Sequence, residues 1–147
     1  MTMTFGQAVK HVFSNYATFQ GRASRSEFWW FYLFNVIVTF VLSIPYYIGL
    51  AQSAGTMTTD PVTGEMTGGS LSGLAVFGII LLVVWLLVTI IPIISVSVRR
   101  LHDGDRTGWW WWLYLLCFIG PIILLIFYIL PGTPGPNRYG EGPAQPA

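Results

Sequence analysis

Three stretches of this chain contain no Asp, Glu, Lys, Arg or His: Phe28–Leu50, Leu71–Val98 and Trp109–Leu130, of 23, 28 and 22 residues. At ~1.5 Å rise per residue, about 20 apolar residues in a helix cross a hydrocarbon core of ~30 Å. Each stretch meets that length, and the second must tilt or project beyond the lipid. Three such runs leave too little polar surface to cover them in a water-soluble fold. Only 9% of the residues are charged, against about 25% in ordinary globular domains. The expected class is therefore an all-α integral membrane protein with three transmembrane segments. Ala51-Gln52-Ser53 resembles a cleavage site, but a signal peptide has an apolar run of only ~7–15 residues, so the first run is kept as a helix.

The flanks organise these segments into a single membrane domain over residues 1–140. Across 5–19, Phe5, Val9, Val12, Phe13, Tyr16 and Phe19 fall on one helical arc, with Gln7, Lys10, His11, Ser14 and Thr18 opposite. This is an amphipathic helix, able to lie in the headgroup plane or to pack on the bundle. Gly21 interrupts it. Ser24-Arg25-Ser26-Glu27 then has the spacing of a capping box, in which Ser24 accepts the Glu27 amide and the carboxylate bonds back. Residues 51–70 are rich in Gly, Thr and Ser and read as a flexible loop. The tail from Pro131 is too rich in Pro and Gly to be helical, and 141–147 is expected to be disordered.

Lysine and arginine set the orientation. Lys10, Arg22 and Arg25 precede the first run, and Arg99, Arg100 and Arg106 separate the second from the third. The 51–70 loop has none. The N-terminus and the 99–108 turn are thus expected to be cytoplasmic. Gly120-Pro121 divides the third run into two arms of about ten residues. A proline-kinked spanning helix is the commoner arrangement; a re-entrant hairpin, which returns Arg138 to the cytoplasmic side, is the alternative.

Motifs of catalysis are missing: no glycine-rich phosphate loop, no Gly-x-Ser-x-Gly, no His-Glu-x-x-His and no Cys-x-x-Cys. His102-Asp103-Gly104-Asp105 has metal-ligand residue types, but Arg99, Arg100 and Arg106 compete for the same acids, so neither a metal nor a cofactor is expected. Cys117 is the single cysteine, which excludes an intrachain disulfide. A net charge of +1 without a basic stripe argues against nucleic acid. The arginines at the cytoplasmic interface suit phosphate headgroups, and Trp29, Trp30 and Trp109–Trp112 suit interfacial anchoring. Tyr32, Asn35, Thr39, Ser43 and Tyr46 share one face of the first run, a stripe that serves helix packing or, in an oligomer, a polar path.

Phe19–Trp29 (FQGRASRSEFW), Arg99–Trp109 (RRLHDGDRTGW) and Pro131–Gly140 (PGTPGPNRYG), in this order and spacing, resemble the bacterial inner-membrane family called domain of unknown function 805. The resemblance covers roughly residues 5–140. It implies an inner-membrane, multi-pass location and no assigned reaction. Asp105 and Thr107 stand where glycine or threonine, and serine, are more usual, and the 51–70 loop is particular to this chain. The expected function is non-enzymatic: an envelope or scaffold protein whose cytoplasmic face binds lipid headgroups or a partner. The candidate cluster is Arg22, Arg25, Glu27, Arg99, Arg100, His102, Asp103, Arg106, Trp109, Asn137 and Arg138. Within it, Glu27 and Asp103 are expected to pair with the arginines, because single charges near lipid are costly. Anionic lipids are the expected partners, with a homo-oligomer or protein partner also open. The alternative function is a small channel or transporter subunit.

Overall fold

Ser24 starts the first long helix as its spacing suggests. In the computed structural model, which describes residues 3–143, Ser24 Oγ accepts the Glu27 amide at 3.1 Å, and helix α2 runs from Arg25 to Gly55. The other half of the capping box is absent. The Glu27 carboxylate turns inward to Arg99 and His11, where a charged donor binds it more strongly than a neutral amide would. Helix α3 covers Gly73–Asp103. Both helices have 31 residues and are long and apolar enough to cross a membrane. They outrun the uncharged stretches that mark them because Ala51, Gln52 and Ala54 retain good helix propensity, and because Arg99–Asp103 form the last turn of α3.

Helix α1, Phe5–Ser14, is shorter than the 5–19 arc. Ala8 and Val12 are buried, and Phe13 meets Phe31 edge-on at 5.5 Å. Much of the apolar face therefore rests on protein, whereas Phe5 and Phe19 stay exposed. The chain leaves α1 at Asn15, and Ser95 Oγ on α3 donates to the Thr18 carbonyl at 2.6 Å.

The third uncharged run is not one helix. A 3-10 helix spans Gly108–Leu115, and α4 spans Ile119–Ile129. At ~2.0 and ~1.5 Å per residue each arm measures about 16 Å, roughly half a hydrocarbon core. The reversal falls at Leu116–Phe118, where Cys117 adopts φ +32°, three residues before Gly120-Pro121. Pro121 instead occupies the first turn of α4, where a missing N–H leaves no helical bond unmade. Gly120 is required by close approach: a Cβ there would strike the Leu113 carbonyl of the 3-10 helix. The two arms fold back on each other, with Trp110 edge-on to Phe127 at 5.4 Å, and the tail returns to the start of the fold.

The described residues form two compact units. One comprises the residues up to Phe34 with those from Thr89 onward. Its core joins Val12, Ala23, Phe28, Phe31, Val96, Leu101, Leu124 and Tyr128. The other, Asn35–Val88, is a helix–hairpin–helix. Its 51–70 segment holds a two-stranded antiparallel hairpin, β1 (Thr58–Thr59) and β2 (Met66–Thr67), in place of the expected flexible loop. Asp60 Oδ1 accepts the amides of Val62 and Thr63 at 2.7 and 3.1 Å in the turn. These bonds hold the Asp60 carboxyl below its ordinary pKa. Here α2 and α3 touch through glycine: a Cβ at Gly49 would strike the Ala75 backbone, and one at Gly78 the Tyr46 backbone. Of the expected tail, 141–143 are described as bends, and 144–147 lie outside the described residues.

Candidate functional site

The loop after Gly21 and the last turn of α3 place Arg22, Arg100 and Asp103 together, all buried. Arg22 reaches Asp103 Oδ1 through Nη2 at 2.8 Å and Nε at 3.0 Å. Arg100 Nη1 takes the other carboxylate oxygen, Oδ2. The remaining arginine donors go to backbone oxygen. Arg22 donates to Thr133 O at 2.7 Å and Gly135 O at 2.6 Å. Arg100 donates to Tyr128 O at 3.2 Å and to Leu130 O, which are carbonyls at the C-terminus of α4 with no partner further along the helix. A cation at that end also meets the negative pole of the helix dipole. With Gly140 O also accepting from Arg22 at 3.4 Å, the surplus positive charge of two arginines on one aspartate is matched by five carbonyl dipoles.

The tail closes over this centre. Thr133 donates its amide and hydroxyl to the Asp103 carbonyl at 2.8 and 3.1 Å. Asn137 Nδ2 donates to His102 O at 2.9 Å. The Tyr139 ring stacks on the His102 imidazole at 3.8 Å, and His102 Nδ1 lies 3.2 Å from the Gly21 carbonyl, which requires the proton on Nδ1. Gly132 passes so near the Asp103 carboxylate that a Cβ would collide with it. The arrangement is a clasp: three separate stretches of sequence locked by one carboxylate.

Alongside it sits a second buried pair. Glu27 Oε1 accepts from Arg99 Nη1 at 2.8 Å and contacts His11 Nδ1 at 3.0 Å. Arg99 O accepts the Ala23 amide at 3.0 Å. The pairing of Glu27 and Asp103 with motif arginines is present, although Arg25 takes no part in it.

Asp105 explains its own departure from the usual residue. Its φ is +55°, its amide donates to His102 O, and the Arg106 amide donates to Leu101 O, both at 3.0 Å. This is a Schellman cap on α3 with Asp105 at the left-handed position that glycine most often fills. Arg138 pairs with Asp105 Oδ1 at 3.1 Å on the surface. Arg106 lies over the Phe127 ring at 4.1 Å.

Of the candidate residues, Arg22, Arg100, His102, Asp103 and Asn137 build the clasp, and Glu27 and Arg99 the pair beside it. Arg106 and Arg138 edge the site. Arg25 and Trp109 point outward, Trp109 being 78% exposed. The Tyr32–Tyr46 stripe is elsewhere and bonds along its own helix: Thr39 Oγ1 donates to Asn35 Oδ1 at 3.3 Å, and Ser43 Oγ to Phe40 O at 2.7 Å. His11 and the carbonyls of Gly21, Tyr128, Leu130, Thr133, Gly135 and Gly140 were not read from sequence as site groups. The carbonyls leave no signature there, since any residue type supplies one.

The three stretches that meet in the clasp all fall within residues 16–141, which match the family described as a protein of unknown function (DUF805). The chain belongs to this family. The DUF805 chain is 38% identical to the inner membrane protein YhaH of Escherichia coli (strain K12) over 133 residues, which are 90% of this chain and 92% of that protein. It is 35% identical to the inner membrane protein YhaI of the same strain, over 90% and 91% of the two chains. No solved structure matches it.

Proposed function

We propose that this DUF805 protein is a non-enzymatic scaffold of the bacterial inner membrane that holds a fixed cytoplasmic face against anionic lipid headgroups. The observation that carries the reading is the Arg22–Asp103–Arg100 clasp. Its polar groups are occupied by one another, as in a structural lock. Asp103 has both oxygens on arginines, and His102 is bonded through Nδ1 and stacked on Tyr139. Neither is disposed as a free base beside a nucleophile.

In this reading α2 and α3 cross the bilayer, and the 3-10 helix and α4 enter and return on the cytoplasmic side. Helix α1 lies at the headgroup level. The E. coli relatives, both named inner membrane proteins, support the location. The charge pattern supports the orientation: every lysine and arginine lies outside Asn35–Val88, so all seven fall on one side, as the positive-inside rule favours. The exposed Trp30, Trp109, Trp110 and Trp112 are residues that prefer the interface.

Lipid analysis of the protein extracted in native nanodiscs tests the function. Phosphatidylglycerol and cardiolipin should be enriched over the surrounding membrane, and an unchanged composition would overturn the proposal. Reporter fusions at each terminus should both read as cytoplasmic; a periplasmic C-terminus removes the hairpin topology.

A further inference from the structure

Arg25 is the basic side chain of the first motif that the clasp leaves out. It is exposed and has no ion-pair or hydrogen-bond partner among the described residues. Beside it runs a groove of about 490 Å³ lined by Arg25, Ser26, Trp29, Trp30, Leu33 and Ile129. Arg25, Trp29 and Leu33 are four residues apart along α2, as are Ser26 and Trp30, so the first five form two adjacent strips on a single helix surface. From Arg25 to Leu33 the groove descends about 12 Å at α-helical rise. It begins with a guanidinium and a hydroxyl, continues past two indoles, and ends between two aliphatic side chains. Arg25 and Ser26 also line a second, more polar cleft of about 280 Å³, with Ser24 and Thr133 among its walls. Polar and apolar depressions thus meet at the same two residues.

The charge around that junction is one-sided. Asp103 lines the polar cleft, but Arg22 and Arg100 already neutralise it. Asp103 is therefore not free to pair with Arg25, whose positive charge stays exposed beside the groove. An anion is attracted there, and the ammonium of a zwitterionic headgroup is not.

We infer that this groove is a binding site for one anionic phospholipid. Arg25 and Ser26 take the headgroup phosphate, the Trp29 and Trp30 rings stand at the level of the glycerol esters, and Leu33 and Ile129 receive the first part of an acyl chain. The inference rests on the lipid-binding reading above, and deepens it from a general surface to one site of defined composition.

Native mass spectrometry of the full chain, titrated with phosphatidylglycerol, phosphatidylcholine or inorganic phosphate, tests it. One phosphatidylglycerol should bind per chain, in preference to phosphatidylcholine. An arginine near anionic lipid contributes about 1 kcal/mol, or about fivefold in affinity, so Arg25→Gln should weaken that binding about fivefold. Its melting temperature should not fall, because Arg25 has no ion-pair or hydrogen-bond partner to lose and only repels Arg100. Trp30→Ala should shorten retention of the diacyl lipid. Lys10→Gln, on α1, should leave both unchanged. Equal phosphatidylglycerol binding by wild type and Arg25→Gln would overturn the site, as would equal binding of phosphatidylcholine or displacement of the lipid by inorganic phosphate. If Arg25→Gln binds normally while nanodisc extracts stay enriched in anionic lipid, the site falls and the broader function stands. Loss of enrichment in the wild type removes both.

Discussion

The unit built from residues up to Phe34 and from Thr89 onward carries every charged side chain except Asp60 and Glu65, which belong to Asn35–Val88. In the first unit, elements far apart in sequence are joined by buried arginines on carboxylates and carbonyls. In the second, two helices meet where Gly49 and Gly78 leave room for backbone, and Ser53 and Ser72 hydroxyls bond to Gly49 O at 3.0 and 2.9 Å. The first mode is directional and fails if one partner is lost. The second depends on space and fails if something is added. An apolar chain can use both, burying charge where carboxylates and carbonyls meet it.

Asp103→Ala is the strongest test of this contrast. It leaves Arg22 and Arg100 buried without a carboxylate, and breaking a buried pair in this way costs about 3–5 kcal/mol. Thermal unfolding of the purified protein in detergent should show that loss. Asp60→Ala, which loses two backbone-amide bonds in an exposed turn, should cost clearly less than Asp103→Ala. Comparable losses from the two would show that the clasp is not what holds the first unit.

Gly78→Ala probes the second unit. One added methyl must displace the Tyr46 backbone, and overpacking of this kind costs about 1–3 kcal/mol. Gly73→Ala, which has open space around it, should be neutral in the same assay. If Gly78→Ala is neutral as well, the helices of this unit do not depend on close approach.

Asn35→Leu should have the smallest effect. The Asn35 side chain accepts from Thr39 on its own helix, so its removal should alter stability by less than about 1 kcal/mol and leave vesicle permeability unchanged. A larger loss would mean that Asn35 holds helices together. Solute flux abolished by the substitution would revive a polar path.

How much was legible in sequence follows the same divide. The long helices announce themselves by absence of charge, and Ser24 by its spacing to Glu27. The arginine–carboxylate pairing is legible because unmatched charge near lipid is costly. The hairpin is harder to read. Gly120-Pro121 signals a break, yet proline is as well suited to the first turn of a new helix as to the end of an old one, so the reversal lies earlier, at Leu116–Phe118. The β1–β2 hairpin hides in a Gly/Thr-rich stretch because Asp60 organises its turn through backbone amides. The partners of Arg22 and Arg100 hide most completely. Five of them are carbonyls, and only the folded chain decides which carbonyls are near.

The clasp also has a chronology. Arg22 is followed by Asp103 after 81 residues and by Gly135 after 113. At a synthesis rate of ~5–20 residues per second, Arg22 precedes Asp103 by roughly 4–16 s and Gly135 by roughly 6–23 s. During the first interval its guanidinium has neither its carboxylate nor its carbonyls; during the second it has the carboxylate alone. The segment made last is the one that shields the motif made first. A chain truncated before Thr133 would leave Arg22 with Asp103 alone, without the carbonyls of Thr133 and Gly135 that complete its shell.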